Sequence, residues 1–369
     1  MDTMVHNRAG KFFAIAGKSG AAALVLVNGE APNLDPTFFY FTGLRSGLFE
    51  GCYAVLFPDG KVDLVVSTLE EQSARESGLN LRVFRSSDER GRLLDEALRG
   101  VGVIGINSAG LLTSDYLYLH ERFKDRKLVD LSKYIETCRG VKDANEIEQL
   151  RKSADIASNA FYDIRGLIKE GKKETELAAD INYLLLKGGA SSTSFDTICA
   201  FGKNSAEPHY SPSAGALRRE EIVLCDYGAI YNRYCSDITR TFVFRSDSDK
   251  YKDMYSTVFE AQKAAFGMIR VGAKGSDVHN AALRVIDGKY NGRFIHGLGH
   301  SIGVAVHDGL RMGPGSDLVL EKNMVLTVEP GVYIPGYGGV RIEDDIVVKE
   351  EGFELLTKAP KEWAEINIQ

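Results

Sequence analysis

The spacing of hydrophobic positions divides the chain into two stretches of different character. In the first stretch, short apolar runs alternate with amphipathic segments, which is the pattern of an α/β unit. The apolar runs predict strands at 22–28, 38–42, 52–57, 62–66 and 101–106. Helical spacing is found at 8–18, 70–78 and 88–98. We therefore expect an α/β domain over residues 1–135.

The second stretch begins with helical spacing and continues with strands and glycine turns. Amphipathic helices are predicted at 144–170, 174–187, 251–269 and 276–286. Strand-like runs dominate the last third of the chain, at 324–328, 332–334 and 340–348. A second domain is therefore expected over residues 136–369.

Composition and charge narrow the class of protein. The 369 residues are 44% hydrophobic and 26% charged, which is enough apolar material for a sizeable core. Acidic residues outnumber basic ones, 51 to 45, so no nucleic-acid partner is expected. No membrane segment is expected either, because the longest apolar run, Ala21–Val27, is far shorter than the ~20 residues of a transmembrane helix. Five cysteines without CxxC spacing predict reduced thiols and a cytoplasmic protein.

Two aspartates occupy a predicted hairpin in the second domain. Asp226 and Asp237 flank a segment whose midpoint falls between Tyr231 and Asn232, where the chain should reverse. If the pairing is regular, the two aspartates lie opposite each other, with Cβ atoms ~4.5–5.5 Å apart.

A second acidic pair, Glu329 and Glu343, flanks a Pro- and Gly-rich segment with its midpoint at Gly336. Each glutamate is then carried on one arm of a hairpin. Four carboxylates held close together repel one another, and two divalent cations at the ~3.5–4 Å spacing of dinuclear sites would compensate them. Any one of these acids alone is better explained as a solvated surface group. Four acids on two hairpins, beside a histidine cluster, favour a metal site.

Three histidines, His296, His300 and His307, lie within a glycine-rich segment. The four-residue spacing of His296 and His300 occurs in helical zinc sites, but the glycines at 297, 299 and 303 argue against a helix. One histidine is expected to bind metal and the others to contact substrate. Satisfied core histidines would explain one such residue, but explain three poorly. A fourth, His209, follows Pro208 in a loop and is a weak signal on its own.

Together these motifs resemble a known family. The segment Phe201–Asp345 is similar to the pita-bread metallopeptidases, the family of methionine aminopeptidase, Xaa-Pro aminopeptidase and prolidase. The matching motifs are the Asp226/Asp237 spacing, HGLGHSIGVAVHD at 296–308, TVEPGVY at 327–333 and VRIED at 340–344. FYFTG at 39–43 and EIEQLR at 146–151 extend the resemblance over nearly the whole chain. The presence of an N-terminal domain resembles the proline-specific branch.

The resemblance implies a fold and a metal centre. The fold is an α/β N-terminal domain followed by an α+β C-terminal pita-bread catalytic domain of the creatinase/aminopeptidase kind. The centre holds two divalent ions per subunit, Mn²⁺ or Co²⁺ in preference to Fe²⁺ or Zn²⁺. The implied ligands are Asp226, Asp237, His300, Glu329 and Glu343. A homodimer is also implied.

The resemblance also implies roles for the remaining site residues. Glu329 is expected to act as general base, His307 to stabilise the oxyanion and His209 to donate a proton to the leaving nitrogen. His296 is expected to line the proline pocket. Apart from the resemblance, a pocket that combines His209, His296 and Tyr231 is expected to hold the flat proline ring. Arg341 has two equally weighted roles, binding a substrate carboxylate or neutralising excess acid.

The implied activity is hydrolysis of Xaa-Pro bonds in proline-containing di- or oligopeptides. A dipeptidase (prolidase) is favoured over an aminopeptidase acting on longer peptides, because the compact hairpin between Glu329 and Glu343 resembles that of short microbial prolidases. The alternatives from other classes are a non-catalytic peptide- or protein-binding member and a metal-free hydrolase of the creatinase kind. The complete set of five ligands opposes both.

Overall fold

The protein is described from a computed structural model that covers residues 2–369. The chain divides into two compact units, Met1–Arg139 and Gly140–Gln369. Within the described residues, no helix is both long enough and apolar enough to cross a membrane.

The N-terminal unit is a six-stranded mixed sheet with helices. Its strands are β1 (Ala23–Val27), β2 (Tyr53–Leu56), β3 (Val62–Ser67), β4 (Asn80–Phe84), β5 (Val103–Ile106) and β6 (Lys127–Asp130). Its helices are α1 (Asp2–Ala16), α2 (Pro36–Thr42), α3 (Glu71–Arg75), α4 (Ser87–Ala97), α5 (Thr113–Arg122) and α6 (Ser132–Gly140). The strand order is β4-β3-β2-β1-β5-β6, and the two inner antiparallel pairs, β1–β2 and β2–β3, adjoin parallel pairs on both sides.

One strand predicted in this unit is a helix instead. The aromatic run 38–42 lies in α2, so the prediction of a strand is wrong. Asp35 caps this helix by accepting a hydrogen bond from the Thr37 amide at 2.8 Å, and Pro36 occupies its first turn. Gly43 ends it with a φ of 69°. These start and stop signals outweigh the strand preference of aromatic residues.

The C-terminal unit combines long helices with short, mostly antiparallel strands. Its helices are α7 (Ala144–Asn159), α8 (Phe161–Leu167), α9 (Glu174–Lys187), α10 (Asp249–Phe266), α11 (Gly275–Tyr290) and α12 (Trp363–Ile366). Its first strands are β7 (Ser192–Thr193), β8 (Ile198–Phe201), β9 (Glu221–Tyr227), β10 (Ala229–Tyr231), β11 (Tyr234–Cys235) and β12 (Ile238–Phe244). The later strands are β13 (Gly299–His300), β14 (Arg311–Met312), β15 (Val325–Val328), β16 (Gly331–Ile334), β17 (Gly338–Arg341), β18 (Asp344–Val348), β19 (Phe353–Leu355) and β20 (Asn367–Ile368).

The predicted helices of this unit are largely confirmed, and α9 has the predicted bounds. The single helix expected over 144–170 is two helices, α7 and α8, which meet at Ala160. A capping box between Asp143 and Glu146 starts α7.

The strands that position the acidic residues are buried in one core. β9 pairs with β12, and β15 pairs with β18. Apolar side chains from α8 to α11 pack against these strands, among them Phe161, Ile181, Val258 and Ile286. Because both strand pairs are fixed by this core, the acids at their ends have little freedom to move.

Candidate active site

The first acidic pair lies on the β9–β12 hairpin in a register different from the predicted one. The chain turns at Asn232 and Arg233, whose φ values of 49° and 74° are those of a two-residue hairpin turn. The centre of the turn is one residue later than expected, so Asp226 faces Thr239. The predicted pairing of Asp226 with Asp237 is therefore wrong. Asp237 precedes Thr239 by two residues, and the alternation of side chains still places both aspartates on one face.

The second acidic pair has the predicted arrangement. Strands β16 and β17 form a hairpin whose midpoint is Gly336, and β15 and β18 continue the same register. Glu329 and Glu343 thus occupy matching positions on its two arms. Their amides donate to other site segments, Glu329 to the Leu298 carbonyl at 2.8 Å and Glu343 to the Thr239 carbonyl at 3.2 Å. The two hairpins and the histidine segment are tied together by these bonds.

Side chains from all three segments converge on one point. Asp237, His300 and Glu343 each offer a ligand atom, and these atoms lie within 4.8 Å of one another. His300 Nε2 is 3.6 Å from Asp237 Oδ2 and 3.7 Å from Glu329 Oε1, too far for direct hydrogen bonds. The buried Oδ1 atoms of Asp226 and Asp237 have no hydrogen-bond partner among the described residues. Unpaired buried acceptors beside an imidazole nitrogen fit a divalent cation.

The electrostatics of these groups also fit a cation. Loss of hydration on burial, followed by repulsion from neighbouring carboxylates, raises the pKa values of Asp237 and Glu343 well above their ordinary range. Burial raises the pKa of Glu329 to about 8. Burial acts in the opposite direction on His300, whose pKa falls to about 4, so its imidazole is neutral at pH 7. Protons and a metal ion would compete for the same carboxylates.

Arg341 is engaged with the protein at the edge of this cluster. Its buried guanidinium donates to Asp226 Oδ2 at 2.5 Å, to Thr239 Oγ1 at 3.0 Å and to the Tyr333 hydroxyl at 2.9 Å. All three of its nitrogens therefore have partners. Of its two predicted roles, this arrangement favours neutralisation of the acidic cluster.

The same tyrosine connects Arg341 to His296. The Tyr333 hydroxyl lies 2.9 Å from His296 Nε2, and His296 Nδ1 lies 2.8 Å from the Gly297 carbonyl. Because a carbonyl only accepts, Nδ1 carries the proton and Nε2 accepts from the tyrosine. Burial, and then the charge of Arg341, lowers the pKa of His296 to about 4, which keeps the ring neutral. Its ring packs edge-on against Phe294 with centroids 5.0 Å apart.

The remaining histidines lie next to the cluster. The rings of His300 and His307 are in edge-on contact, with centroids 4.3 Å apart. Burial lowers the pKa of His307, and the charges of Arg311 and His209 add to this. His209 also contributes to the lowered pKa of His296. His209, which is exposed in the loop between β8 and β9, thus acts electrostatically on both rings.

Tyr231 lies at the turn end of the first hairpin, away from Asp226. It is the last residue of β10, directly before the hairpin turn, and five residues from Asp226. At ~3.3 Å per residue, an extended strand of that length spans ~16 Å. The Lys152 ammonium lies over the Tyr231 ring, 5.8 Å from the ring centroid. This position gives no support to a place in the proline pocket.

Two acids that follow Glu343 were not predicted from the sequence. Asp345 Oδ2 accepts a hydrogen bond from the Asp237 amide at 2.9 Å. Asp344 forms a fully buried ion pair with Arg240 at 2.7 Å, and Arg240 also donates to the Glu343 carbonyl at 2.7 Å. The available signal was a run of three acids, Glu343 to Asp345, at the start of an otherwise apolar strand. Buried charges require partners, so this run indicates nearby cations or hydrogen-bond donors.

Comparisons with known proteins agree with this geometry. Residues 148–350 match the model of metallopeptidase family M24, and residues 8–141 match that of the creatinase/prolidase N-terminal domain. The chain is 37% identical to the Xaa-Pro dipeptidase of Pyrococcus furiosus, over 88% of this chain and 91% of that protein.

Solved structures give the same result for the fold. The Xaa-Pro dipeptidase from Bacillus anthracis superposes with a TM-score of 0.90 at 31% identity, covering 99% of this chain and 100% of that one. The X-Pro aminopeptidase from Thermotoga maritima superposes with a TM-score of 0.87 at 31% identity, covering 95% and 97%. The resemblance and the fold class predicted from the sequence are confirmed. The chain belongs to metallopeptidase family M24, whose members use divalent metal, and carries a creatinase/prolidase-type N-terminal domain.

Proposed function

We propose that this protein is a dinuclear metal-dependent exopeptidase that hydrolyses Xaa-Pro bonds, acting principally as an Xaa-Pro dipeptidase. The observation that carries the proposal is the convergence of Asp237, His300 and Glu343 within 4.8 Å, beside buried carboxylate oxygens that lack partners. The sequence likeness to an Xaa-Pro dipeptidase, 37% over 88% of the chain, supports the substrate class. We further propose a cytoplasmic homodimer. None of the five buried cysteines forms a disulfide bond, which supports a reducing compartment.

The proposed ligands comprise four carboxylates and one imidazole, which suits two ions of Mn²⁺ or Co²⁺. They are Asp226, Asp237, His300, Glu329 and Glu343. When bound, the ions supply Lewis-acid chemistry, which acidifies water and polarises a carbonyl group. Arg341 holds Asp226 in place through the 2.5 Å ion pair and balances part of the negative charge.

The other residues bind and move protons around the scissile bond. Glu329 accepts the proton of the attacking water, and His307 donates a hydrogen bond to the developing oxyanion. His209 gives a proton to the proline nitrogen as the C–N bond breaks. Proline forms a tertiary amide without an N–H, so recognition must use its ring. The face formed by His296, Phe294 and Tyr333 is aromatic and fixed by hydrogen bonds, which suits a flat ring.

Peptide length decides between the two exopeptidase activities. The protein, loaded with Mn²⁺ or Co²⁺, would be assayed on Xaa-Pro, on Xaa-Pro-Yaa and on Xaa-Ala as the secondary-amide control. We expect Xaa-Pro to be cleaved fastest and Xaa-Ala slowest. Faster cleavage of Xaa-Pro-Yaa would support the aminopeptidase alternative, which the Thermotoga maritima likeness at a TM-score of 0.87 favours. A metal-bound protein that cleaves neither proline peptide would instead support the peptide-binding alternative.

A further inference from the structure

The loop that carries His209 is anchored by one buried carboxylate, that of Glu174. This residue begins α9 and is fully buried, with 0% of its surface exposed. We propose that Glu174 is a positioning residue that fixes His209 where it can protonate the leaving nitrogen. The inference rests on the role of His209 in the proposed function.

The carboxylate accepts five hydrogen bonds, one from the last residue of β8 and four from the loop that follows it. Its Oε1 accepts from the Phe201 amide at 2.8 Å and from Asn204 Nδ2 at 2.9 Å. Its Oε2 accepts from the Tyr210 hydroxyl at 2.9 Å, the Ser213 amide at 3.0 Å and the Ser213 hydroxyl at 2.6 Å. These donors bracket position 209 on both sides, and Tyr210 is its immediate neighbour.

The backbone strengthens the same anchorage. The Glu174 amide donates to the Gly215 carbonyl at 3.0 Å, and the Thr175 amide donates to the Ser213 carbonyl at 3.1 Å. Among the described residues, the side chain of His209 has no hydrogen-bond partner, so the path of its loop determines where the imidazole lies. The path of the loop in turn depends on the Glu174 carboxylate, because all five donors converge on its two oxygens.

The chemistry of the side chain makes this role specific to a carboxylate. A glutamine has the same shape but replaces one acceptor oxygen by an NH₂ group, which would face donors and leave them unpaired. The loop would then shift to recover partners in water. A displacement of ~1 Å of a group that transfers a proton costs on the order of 10²-fold in rate.

The test compares Glu174→Gln with the control Glu176→Gln. Glu176 lies in the same first turn of α9, but its carboxylate is half-exposed and caps only Lys173. We expect Glu174→Gln to lower kcat for Xaa-Pro by about tenfold or more, with KM and bound metal close to those of the parent. Hydrolysis of an aryl ester of the same Xaa residue should change much less, because a phenolate leaves without a proton. Glu176→Gln should behave as the parent, and an equal loss on peptide and ester would overturn the proposal.

Non-additivity with His209→Ala separates positioning from general damage. If Glu174 acts through His209, then Glu174→Gln should cost less than about twofold in kcat once His209 is alanine. A full tenfold loss in both backgrounds would overturn the proposal. If Glu174→Gln does not fold, Tyr210→Phe can replace it, because this change removes one of the five donors. The loss of kcat caused by Tyr210→Phe should likewise fall below about twofold once His209 is alanine.

A crystal structure of Glu174→Gln would show the position of the loop independently of any activity assay. A displaced His209 supports the proposal, and an unmoved His209 overturns it whatever the substrate is. Failure of the parent protein to cleave Xaa-Pro would contradict only the proposed function, so the two failures are distinguishable.

Discussion

At the scale of single residues, the candidate site contains buried carboxylates that Arg341 compensates only in part, through its ion pair with Asp226. Asp237 shows this most directly, since its Oδ1 is buried without a partner among the described residues and its pKa is raised by burial and by Glu343. Asp237→Asn removes the charge and keeps the shape. We expect bound metal and turnover to fall by at least about 10²-fold, whereas the thermal midpoint of the metal-free protein should not fall, because repulsion is relieved.

Elemental analysis and differential scanning calorimetry of the two proteins would check this. Asp196→Asn, which alters an exposed aspartate, is the matched control and should leave both quantities unchanged. Full activity in Asp237→Asn would contradict the ligand assignment.

Tyr333 carries a second prediction at this scale, because its hydroxyl joins Arg341 to His296. Tyr333→Phe removes the donor to His296 Nε2 at 2.9 Å and the acceptor for Arg341 at 2.9 Å. The loss of satisfied buried groups should lower the free energy of unfolding by about 1–3 kcal/mol. The imidazole would no longer be oriented, so KM for Xaa-Pro should rise more than kcat falls. Steady-state kinetics on the metal-loaded protein measure this split, and a change in kcat alone would contradict a role for His296 in binding the ring.

At the scale of elements, two hairpins position the acidic residues, and each contains a glycine with a different structural role, Gly228 in the first and Gly336 in the second. A Cβ atom on Gly228 would lie 1.8 Å from the Ser236 carbonyl oxygen, so an alanine there must push apart the strands that hold Asp226 and Asp237. Gly336 adopts a φ of 76° in open space, and an alanine there meets no atom within 4 Å.

We therefore expect Gly228→Ala to weaken metal binding and to lower the thermal midpoint by more than Gly336→Ala does. Gly336→Ala should cost only about 1–2 kcal/mol of backbone strain and retain its metal. Isothermal titration with Mn²⁺ and thermal melts of both variants provide the measurement. Equal metal affinity in the two variants would contradict the idea that the distance between the strands of the first hairpin positions Asp226 and Asp237.

The elements also show how far the sequence could predict the structure. The symmetric Glu329–Glu343 hairpin was predictable because its turn centre coincides with a glycine, Gly336. The Asp226–Asp237 hairpin was misplaced by one residue because its turn uses Asn232 and Arg233, and an arginine with a φ of 74° has no sequence signal. The helix at 36–42 carried an Asp-Pro start signal that the aromatic run obscured. Local pattern predicted α9 correctly but misassigned α2, whereas the register of the first hairpin depended on turn geometry.

At the scale of the whole molecule, the site is assembled from segments far apart in the chain. The proposed ligands extend from Asp226 to Glu343, and His209 and Glu174 precede them. The spacing of the motifs predicts a set of metal ligands, but it carries no sign that the Arg341 guanidinium donates to Asp226. Nor could it show that Asp345 accepts a hydrogen bond from the Asp237 amide, or that Asp344 pairs with Arg240. Those features depend on long-range packing, for which a single sequence carries no periodic signal.

The folding stability of the metal-free protein depends on pH, and the pKa shifts of its buried acids and histidines determine the direction of that dependence. His296 and His300, whose pKa values fall to about 4, bind fewer protons in the folded than in the unfolded state, and this difference fades as the pH rises above their ordinary value of 6.5. Glu329, with a pKa raised to about 8 from 4.5, binds more protons folded than unfolded up to that pH. Asp237 and Glu343 act in the same direction.

Between pH 6.5 and about 8 the three acids outweigh the two histidines, which lose their remaining protons in the unfolded state, so the folded state binds the excess of protons and its stability should fall as pH rises. Metal requires the deprotonated carboxylates, so its affinity should rise over the same interval. We expect the difference in thermal midpoint between Mn²⁺-loaded and chelator-treated protein to widen from pH 6.5 to pH 8. Calorimetry at fixed ionic strength measures it. A constant difference, or a chelated protein that gains stability with pH, would show that the carboxylates are already ionised without a cation.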